Sequence, residues 1–189
     1  MRVVGGTARG RRLRAPAGGA IRPTADRVRE AVFSMVRSRR PIEGASVVDL
    51  FAGSGALGIE ALSQGAASVT FVELDVDAIR TIRANLASTR LGEPDVEEAH
   101  GRARVVRSDV LSWLGAHRGE GFDVALCDPP YSFEAWQDLL DRLSADLAVL
   151  ESDRELDVGQ GWEVLKTKRH GSTVVTLVRR FPDRAKGPM

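Results

Sequence analysis

Short apolar runs recur along the chain, and polar segments with helical spacing separate them. The runs are rich in Val, Leu and Ala and are bounded by Gly, Asp or Ser, which is typical of strands buried on both faces of a parallel sheet. Seven runs are interpreted as strands: 47–50, 68–72, 104–107, 122–127, 147–150, 162–166 and 173–178. The segments between them predict helices at 56–64, 77–87, 110–117 and 133–143.

Strands that alternate with helices predict an α/β fold with a Rossmann-like, mostly parallel sheet of seven strands. The last two strands are separated only by residues 170–172, too few for a parallel crossover, so they predict a closing antiparallel hairpin. Residues 151–160 are acidic and predict a solvent-exposed loop. A chain of 189 residues with 43% hydrophobic residues suffices for one complete core. We assign residues 20–181 to this domain and expect a disordered tail at 182–189.

The segment after the first strand is rich in glycine and leads directly into a helix. We refer to its residues as the glycine turn: Phe51, Ala52, Gly53, Ser54 and Gly55. The glycines let a ligand approach the backbone where a side chain would clash. Asp49 lies in the strand below, where its carboxylate can meet the positively charged amino-acid moiety of S-adenosylmethionine (AdoMet) but would repel a pyrophosphate. The spacing Gly53-x-Gly55-x-x-Gly58 also matches the dinucleotide fingerprint, so NAD stays an alternative.

Carboxylates also follow the next strands. Glu73 ends the second strand about twenty residues after the glycine turn, where a carboxylate can hold both ribose hydroxyls. Asp109 follows the third strand, at the height expected for an adenine edge, and Asp128 follows the fourth. Leu74 and Val110 complete the candidate cofactor-binding residues. Because ligands of open α/β sheets bind at the carboxyl ends of the strands, we expect these residues to share one site.

The fourth strand ends in the sequence Asp128-Pro129-Pro130-Tyr131, the candidate catalytic motif. The prolines fix φ and donate no N–H, so the carbonyls there are left to accept hydrogen bonds. The Asp128 carboxylate and the Pro129 carbonyl can accept hydrogen bonds from both N–H groups of a nucleobase amino group, while Tyr131 stacks on the ring of the base. A plain Asp-Pro turn beside a core tyrosine is the alternative without catalysis.

Segments 49–55 and 128–131 together resemble the class I AdoMet-dependent amino-group methyltransferases, whose sheets usually end in an antiparallel hairpin. Segments 2–6, 9–13 and 22–33 narrow the resemblance to the RsmD family, and the similarity extends from residue 2 to about residue 180. The resemblance implies a 16S rRNA (guanine-N2)-methyltransferase that acts on guanine 966 in conventional rRNA numbering. It implies AdoMet as cofactor and 16S rRNA as partner, within a small ribosomal subunit or an assembly intermediate.

The net charge of +1 conceals a basic N-terminal segment. Residues 1–40 hold eleven arginines and no lysine against two acidic residues, whereas the remainder carries a net charge of −8. Arginine suits bidentate phosphate contacts and stacking on bases, so the segment predicts a polyanionic partner, with a solvated tail as the alternative. Segments 2–4 and 12–14 can pair as a hairpin in an arm of residues 1–19. We expect the flexible segment 15–19 to let this hairpin reach beyond the sheet edge.

The candidate RNA-binding residues follow from this segment: Arg2, Arg9, Arg11, Arg12, Arg22, Pro23, Thr24 and Arg27. The first four belong to the predicted hairpin. The resemblance implies that the other four border the mouth of the active site. Thr24 also suits the start of the first helix, whose apolar stripe excludes Arg27 and Arg29.

The remaining reactive side chains predict no second site. Cys127 is the single cysteine, which excludes an internal disulfide and indicates a reducing compartment. The three histidines lack ligand spacing, so we expect no metal. No apolar run reaches membrane-spanning length, and the arginine-rich N-terminus lacks the apolar stretch of a signal peptide. We therefore expect a cytoplasmic monomer without membrane contact.

Three other functions compete with the one implied by the resemblance. An NAD-dependent oxidoreductase would explain the glycine spacing but not segment 128–131. A non-catalytic RNA-binding assembly factor would explain the arginines but not the cofactor motifs. The same Asp-Pro-Pro-Tyr motif also serves adenine-N6 and cytosine-N4 methyltransferases, and the residues alone do not choose the base.

Overall fold

The computed structural model describes residues 1–15, 26–92 and 102–181. Within these ranges the helices are α1 (Asp26–Arg37), α2 (Ala56–Ser63), α3 (Val76–Thr89), α4 (Val110–Ala116) and α5 (Trp136–Arg142). The strands are β1 (Ser46–Leu50), β2 (Ser68–Glu73), β3 (Ala103–Arg107), β4 (Phe122–Cys127), β5 (Ala145–Ser152), β6 (Trp162–His170) and β7 (Thr173–Arg180). The tail predicted at 182–189 lies outside the described residues.

All seven strands form one sheet in the spatial order β3-β2-β1-β4-β5-β7-β6. Neighbours from β3 to β5 are parallel, and β7 pairs antiparallel with both β5 and β6. The strand order reverses between β1 and β4, which is where open α/β sheets bind their ligands. The predicted fold class, including the closing antiparallel hairpin, is confirmed.

Helices cover both faces of the sheet and create two apolar layers. Helices α1, α2 and α3 pack on one face, where Phe33, Ile59 and Ile82 are buried. Helices α4 and α5 pack on the other face, where Trp113 and Leu139 are buried. Strand residues alternate between the two layers, which is why the strands are nearly continuous apolar runs in the sequence. No helix in the described part of the chain is long and apolar enough to cross a membrane.

The ends of several elements differ from the sequence pattern. Helix α5 begins at Trp136 rather than at 133, because Phe133 donates its N–H to the Pro130 carbonyl in a turn that precedes the helix. Strand β6 continues to His170, four residues beyond its apolar segment. Its second half is largely exposed at the sheet edge, so it lacks the apolar signal on which the prediction depends.

Residues 1–15 fold back onto the domain. Arg2 and Arg12 form an isolated antiparallel bridge, so the predicted hairpin exists in a short form. Val3, Ala8 and Leu13 are buried in the same apolar layer as α1, α2 and α3. The expectation that the hairpin reaches beyond the sheet edge is therefore wrong. The boundary proposed at residue 19 lies outside the described residues.

A buried carboxylate on α2 fixes this hairpin. Glu60 is 0% exposed, and its two carboxylate oxygens accept the N–H groups of Val4 at 2.8 Å and Gly5 at 2.7 Å. Ser63, one turn later, accepts the N–H of Ala8 and donates to the Gly5 carbonyl. Helix α2 thus satisfies backbone groups of the hairpin that burial would otherwise leave unpaired.

Asn85 on α3 connects the hairpin to the glycine turn. Its side chain bonds to both the N–H and the carbonyl of Arg14, at 2.8 and 3.0 Å. The same amide donates to the Ser54 carbonyl at 2.9 Å. The conformations of the two segments are therefore linked through one buried amide.

Candidate active site

The carboxyl ends of β1 to β4 lie along one edge of the sheet, because these strands are parallel and adjacent. The glycine turn follows β1, Glu73 ends β2, Asp109 follows β3 and Asp128 follows β4. The structure thus places the predicted cofactor-binding and catalytic residues at a common edge. The individual roles of these residues are proposals.

The glycine turn has an unusual backbone. Phe51, Gly53 and Gly55 have positive φ angles of 60°, 56° and 75°. This left-handed region is costly for an aromatic residue, and such strain concentrates at functional sites. The Phe51 ring packs edge-on against Phe133, with ring centroids 5.0 Å apart. This contact joins the glycine turn to the segment that follows the catalytic motif.

Asp49 lies beneath the glycine turn and is only 1% exposed. Its Oδ2 accepts the N–H of Gly58 at 2.8 Å, where α2 packs closely on the sheet. Burial raises the pKa of Asp49 well above its ordinary value, and the nearby charges of Asp128 and Glu73 raise it further. A buried carboxylate at this position favours a ligand with positive charge and disfavours a pyrophosphate.

We expect Asp49→Asn to raise the melting temperature at pH 7 by a few degrees. The folded-state pKa exceeds the ordinary value of 3.8, so the unfolded carboxyl loses its proton first as pH rises. The wild type therefore loses stability from about pH 4 upward, whereas the amide carries no such cost and still accepts from Gly58. Thermal unfolding between pH 4 and 8 should show a gain that grows with pH. A gain in melting temperature that is constant with pH would contradict this electrostatic account. The same variant should also bind AdoMet more weakly.

The Glu73 carboxylate is held by three backbone N–H groups. Oε2 accepts from Gly53 in the glycine turn at 2.8 Å, and Oε1 accepts from Leu74 and Asp75 at 2.7 and 2.9 Å. These bonds fix its orientation at the end of β2 and leave further lone pairs for ribose hydroxyls. Glu73 therefore keeps acceptor capacity at this edge, and its contact with a ribose stays a prediction.

We expect Glu73→Ala to weaken AdoMet and S-adenosylhomocysteine equally, because both carry the same ribose. The loss of two charge-assisted hydrogen bonds costs roughly 2–4 kcal/mol. Titration calorimetry with both ligands measures this directly. Asp77→Ala, an exposed carboxylate in the first turn of α3, is the matched control and should bind both ligands normally. Unchanged binding by the Glu73 variant would show that this residue only supports the turn.

Asp109 and its neighbour lie at the start of α4. The Asp109 side chain caps the helix by accepting the N–H of Ser112 at 2.9 Å. Val110 is buried, whereas Leu74 is 58% exposed. One carboxylate oxygen of Asp109 thus has a structural role, and its contact with an adenine edge stays a prediction.

Residues 129–131 of the candidate catalytic motif form one wall of an open depression at the end of β4. Pro129 is buried, while Tyr131 is 47% exposed and its hydroxyl lies 3.3 Å from the Thr173 hydroxyl. The depression is lined by residues 129–131, Phe133, Trp136 and residues 151–154. Tyr131 has an exposed ring and Asp128 is half-buried, and stacking of the ring on an inserted base stays a prediction.

Glu151 belongs to this site although the sequence pattern assigns it to a solvent loop. Strand β5 continues to Ser152, and Glu151 is only 3% exposed, so that prediction is wrong at its start. Cys127 pairs with Leu150, which places Glu151 beside Asp128. Burial raises the pKa of Glu151, and nearby Asp128 and Asp49 raise it further. The acidic composition of 151–160 conceals this buried position.

Arg29 is a further buried charge that the sequence pattern does not indicate. It is 0% exposed, although the helical pattern places it off the apolar stripe. Its guanidinium pairs with Asp26 at 2.7 Å and donates to the Arg2 carbonyl. It also lowers the pKa of Glu151, which burial and carboxylate neighbours raise. The i, i+3 pair with Asp26 is the only sequence signal that indicates a partner for Arg29.

The candidate RNA-binding residues are only partly within the described ranges. Five of them are exposed: Arg2, Arg9, Arg11, Arg12 and Arg27. Arg22, Pro23 and Thr24 lie outside the described residues. Across residues 1–15, 26–92 and 102–181, no group of three or more His, Cys, Asp or Glu side chains could hold a metal ion.

The comparison with protein families matches nearly the whole chain. The family described as Conserved hypothetical protein 95 matches residues 1–179. The chain belongs to this family. This is the RsmD family, so the resemblance carried by the sequence motifs is confirmed.

Individual members of the family are similar over almost their full length. The "Putative rRNA methyltransferase YlbH" of Bacillus subtilis is 38% identical over 178 residues, which cover 93% of this chain and 91% of that protein. The "Ribosomal RNA small subunit methyltransferase D" of Escherichia coli K12 is 34% identical over 190 residues, which cover 95% of this chain and 90% of that protein. The solved structure described as "Putative methyltransferase yhhF from Escherichia coli" has a TM-score of 0.79 at 34% identity. The match covers 95% of this chain and 97% of that chain. The fold is that of the class I methyltransferases.

Proposed function

We propose that this protein transfers a methyl group from AdoMet to an exocyclic amino group of ribosomal RNA. The observation that carries this proposal is the juxtaposition of two groups at one sheet edge. Asp49, Glu73 and the glycine turn suit AdoMet, and the motif beginning at Asp128 suits an amino group. The family relatives named as ribosomal RNA methyltransferases support the choice of substrate.

The chemistry requires positioning more than activation. Bound AdoMet supplies a methyl group that is already activated by its sulfonium. The lone pair of an aromatic amine is delocalised into the ring, so the amine is a poor nucleophile. Asp128 and the Pro129 carbonyl accept hydrogen bonds from its two N–H groups. These hydrogen bonds favour a pyramidal nitrogen with its lone pair directed at the methyl group. Positioning of this kind can contribute roughly 7–11 kcal/mol.

We further propose N2 of guanine in small-subunit 16S rRNA as the target, at position 966. The partner is 16S rRNA within a small subunit or an assembly intermediate. Tyr131 stacks on a base that has been lifted out of its helix or loop. The exposed arginines at the N-terminus supply contacts to phosphates that are independent of sequence.

The decisive experiment offers labelled AdoMet with 16S rRNA, assembled small subunits or DNA. Nucleoside mass spectrometry then identifies the methylated base. We expect N2-methylguanine in the RNA samples, at position 966. N6-methyladenine would overturn the choice of base, and an absence of transfer to every substrate would overturn the proposed function. Calorimetry with AdoMet and NAD separately tests the cofactor.

A further inference from the structure

Strand β6 carries a group of cations that none of the proposed roles uses. We define the β6 patch as Lys166, Lys168 and Arg169. All three are exposed, and the two lysines are among only three in the whole chain. Every cation in the basic N-terminal segment is an arginine, so this second basic surface also differs in its chemistry.

The β6 patch lies at the same end of the sheet as the catalytic motif. The turn between β6 and β7 reaches the mouth of the site, because Thr173 lies against the Tyr131 hydroxyl. Val175 pairs with Glu151 on one side and with Lys168 on the other, so Lys168 is level with the end of β5. Three strand spacings of about 4.8 Å separate β6 from β4, or roughly 14 Å. A nucleic acid strand that inserts a base beside Tyr131 can reach across that distance.

Both lysines face the side of the sheet that α1 covers. Lys168 is the cross-strand neighbour of Val175, and Lys166 that of Leu177. Cross-strand neighbours share one face, and both partners belong to the apolar layer beneath α1. The lysines therefore lie beyond the edge of that apolar layer. They are on the same face of the sheet as α1, which carries the exposed Arg27.

The β6 patch differs from Arg154, a cation that lines the depression, in having no acidic partner. Arg154 pairs with Glu134 and Asp153. No ion pair or side-chain hydrogen bond joins Lys166, Lys168 or Arg169 to any residue in the described part of the chain. Their charges are thus available to an external anion.

We propose that the β6 patch binds the phosphate backbone of RNA next to the target nucleotide. This inference rests on the proposed function and adds a second contact surface, at the opposite edge of the sheet from β3. Phosphate contacts fix the register of the RNA without reading its sequence. Lysines on an open sheet edge also deter pairing with other chains, and protection of the edge alone is the competing explanation.

The test compares K166Q/K168Q with the wild type in binding a 16S rRNA transcript between 50 and 200 mM salt. We expect the dissociation constant to rise roughly three- to tenfold for each lysine, and the salt slope to fall by about 1 for each. K166R/K168R keeps the charges and should restore both values. R104Q/R118Q is the matched control, because both arginines are exposed near the amino ends of β3 and β4, far from the motif, and neither belongs to the basic N-terminal segment. It should bind as the wild type does.

Steady-state kinetics add an independent measurement. K166Q/K168Q should raise the KM for RNA while kcat at saturating RNA and the affinity for AdoMet stay unchanged. If K166Q/K168Q bound RNA with unaltered affinity and an unaltered salt slope, the inference would be overturned. If the same variant also formed new dimers on gel filtration, the lysines would be assigned to protection of the sheet edge. Salt-dependent binding tests the β6 patch even if the wild type methylates no RNA, so failure of the proposed function is recognised separately.

Discussion

We expect Asp128→Ala to lose methyl transfer by roughly 10²–10³-fold, the scale seen when a single positioned catalytic hydrogen-bonding group is removed. We propose that the carboxylate at the end of β4 faces the target amine more than the cofactor. AdoMet affinity should therefore stay within about tenfold, or 1.4 kcal/mol, of the wild type. Single-turnover transfer from labelled AdoMet and calorimetry with the same ligand measure the two effects separately.

Two matched variants make this result interpretable. Asp128→Asn keeps an acceptor oxygen at the same place, so it should retain more activity than the alanine variant. Asp123→Ala removes a carboxylate at the other end of the same strand, where it binds the Ser46 backbone and hydroxyl. We expect that change to affect stability and not the rate constant of transfer. Near-normal turnover by Asp128→Ala would remove the catalytic assignment.

The sheet and its active edge are predictable from sequence for a clear physical reason. Strands buried on both faces need uninterrupted apolar residues, and the polar residues that end them then stand out. Glu73, Asp109 and Asp128 are recognisable because each follows such a run. Parallel neighbours bring these ends to one edge without further information. The apolar pattern therefore predicts where the site lies as well as how the sheet is built.

The buried charges are not predictable in this way. Glu60, Arg29 and Glu151 look like ordinary surface residues, because helical or strand spacing carries no information about distant partners. Glu60 bonds to Val4, 56 residues earlier in the chain, and Glu151 is surrounded by groups from other strands and from α1. A charge can be buried only where hydrogen bonds or opposite charges replace its contacts with water, and only the tertiary fold brings those groups together.

The N-terminal hairpin illustrates the same limit. Its arginines and glycines predict a separate, RNA-directed arm, and five of its arginines do lie on the surface. Its few apolar residues give no periodic signal, yet Val3, Ala8 and Leu13 complete the core around α2. The hairpin thus has a structural role in addition to any contact with RNA, and removing it should not leave stability unchanged.

We expect Glu60→Ala to lower the melting temperature by roughly 5–15 °C. The change leaves the part-buried N–H groups of Val4 and Gly5 without their acceptor, at a cost of about 1–3 kcal/mol each. For a domain of this size, 1 kcal/mol corresponds to about 2–4 °C. Glu43→Ala, an exposed carboxylate in the loop before β1, is the control and should melt as the wild type does. If the Glu60 variant also kept the wild-type melting temperature, the docked hairpin would contribute nothing to stability and the arm would be the separate unit that its composition suggests.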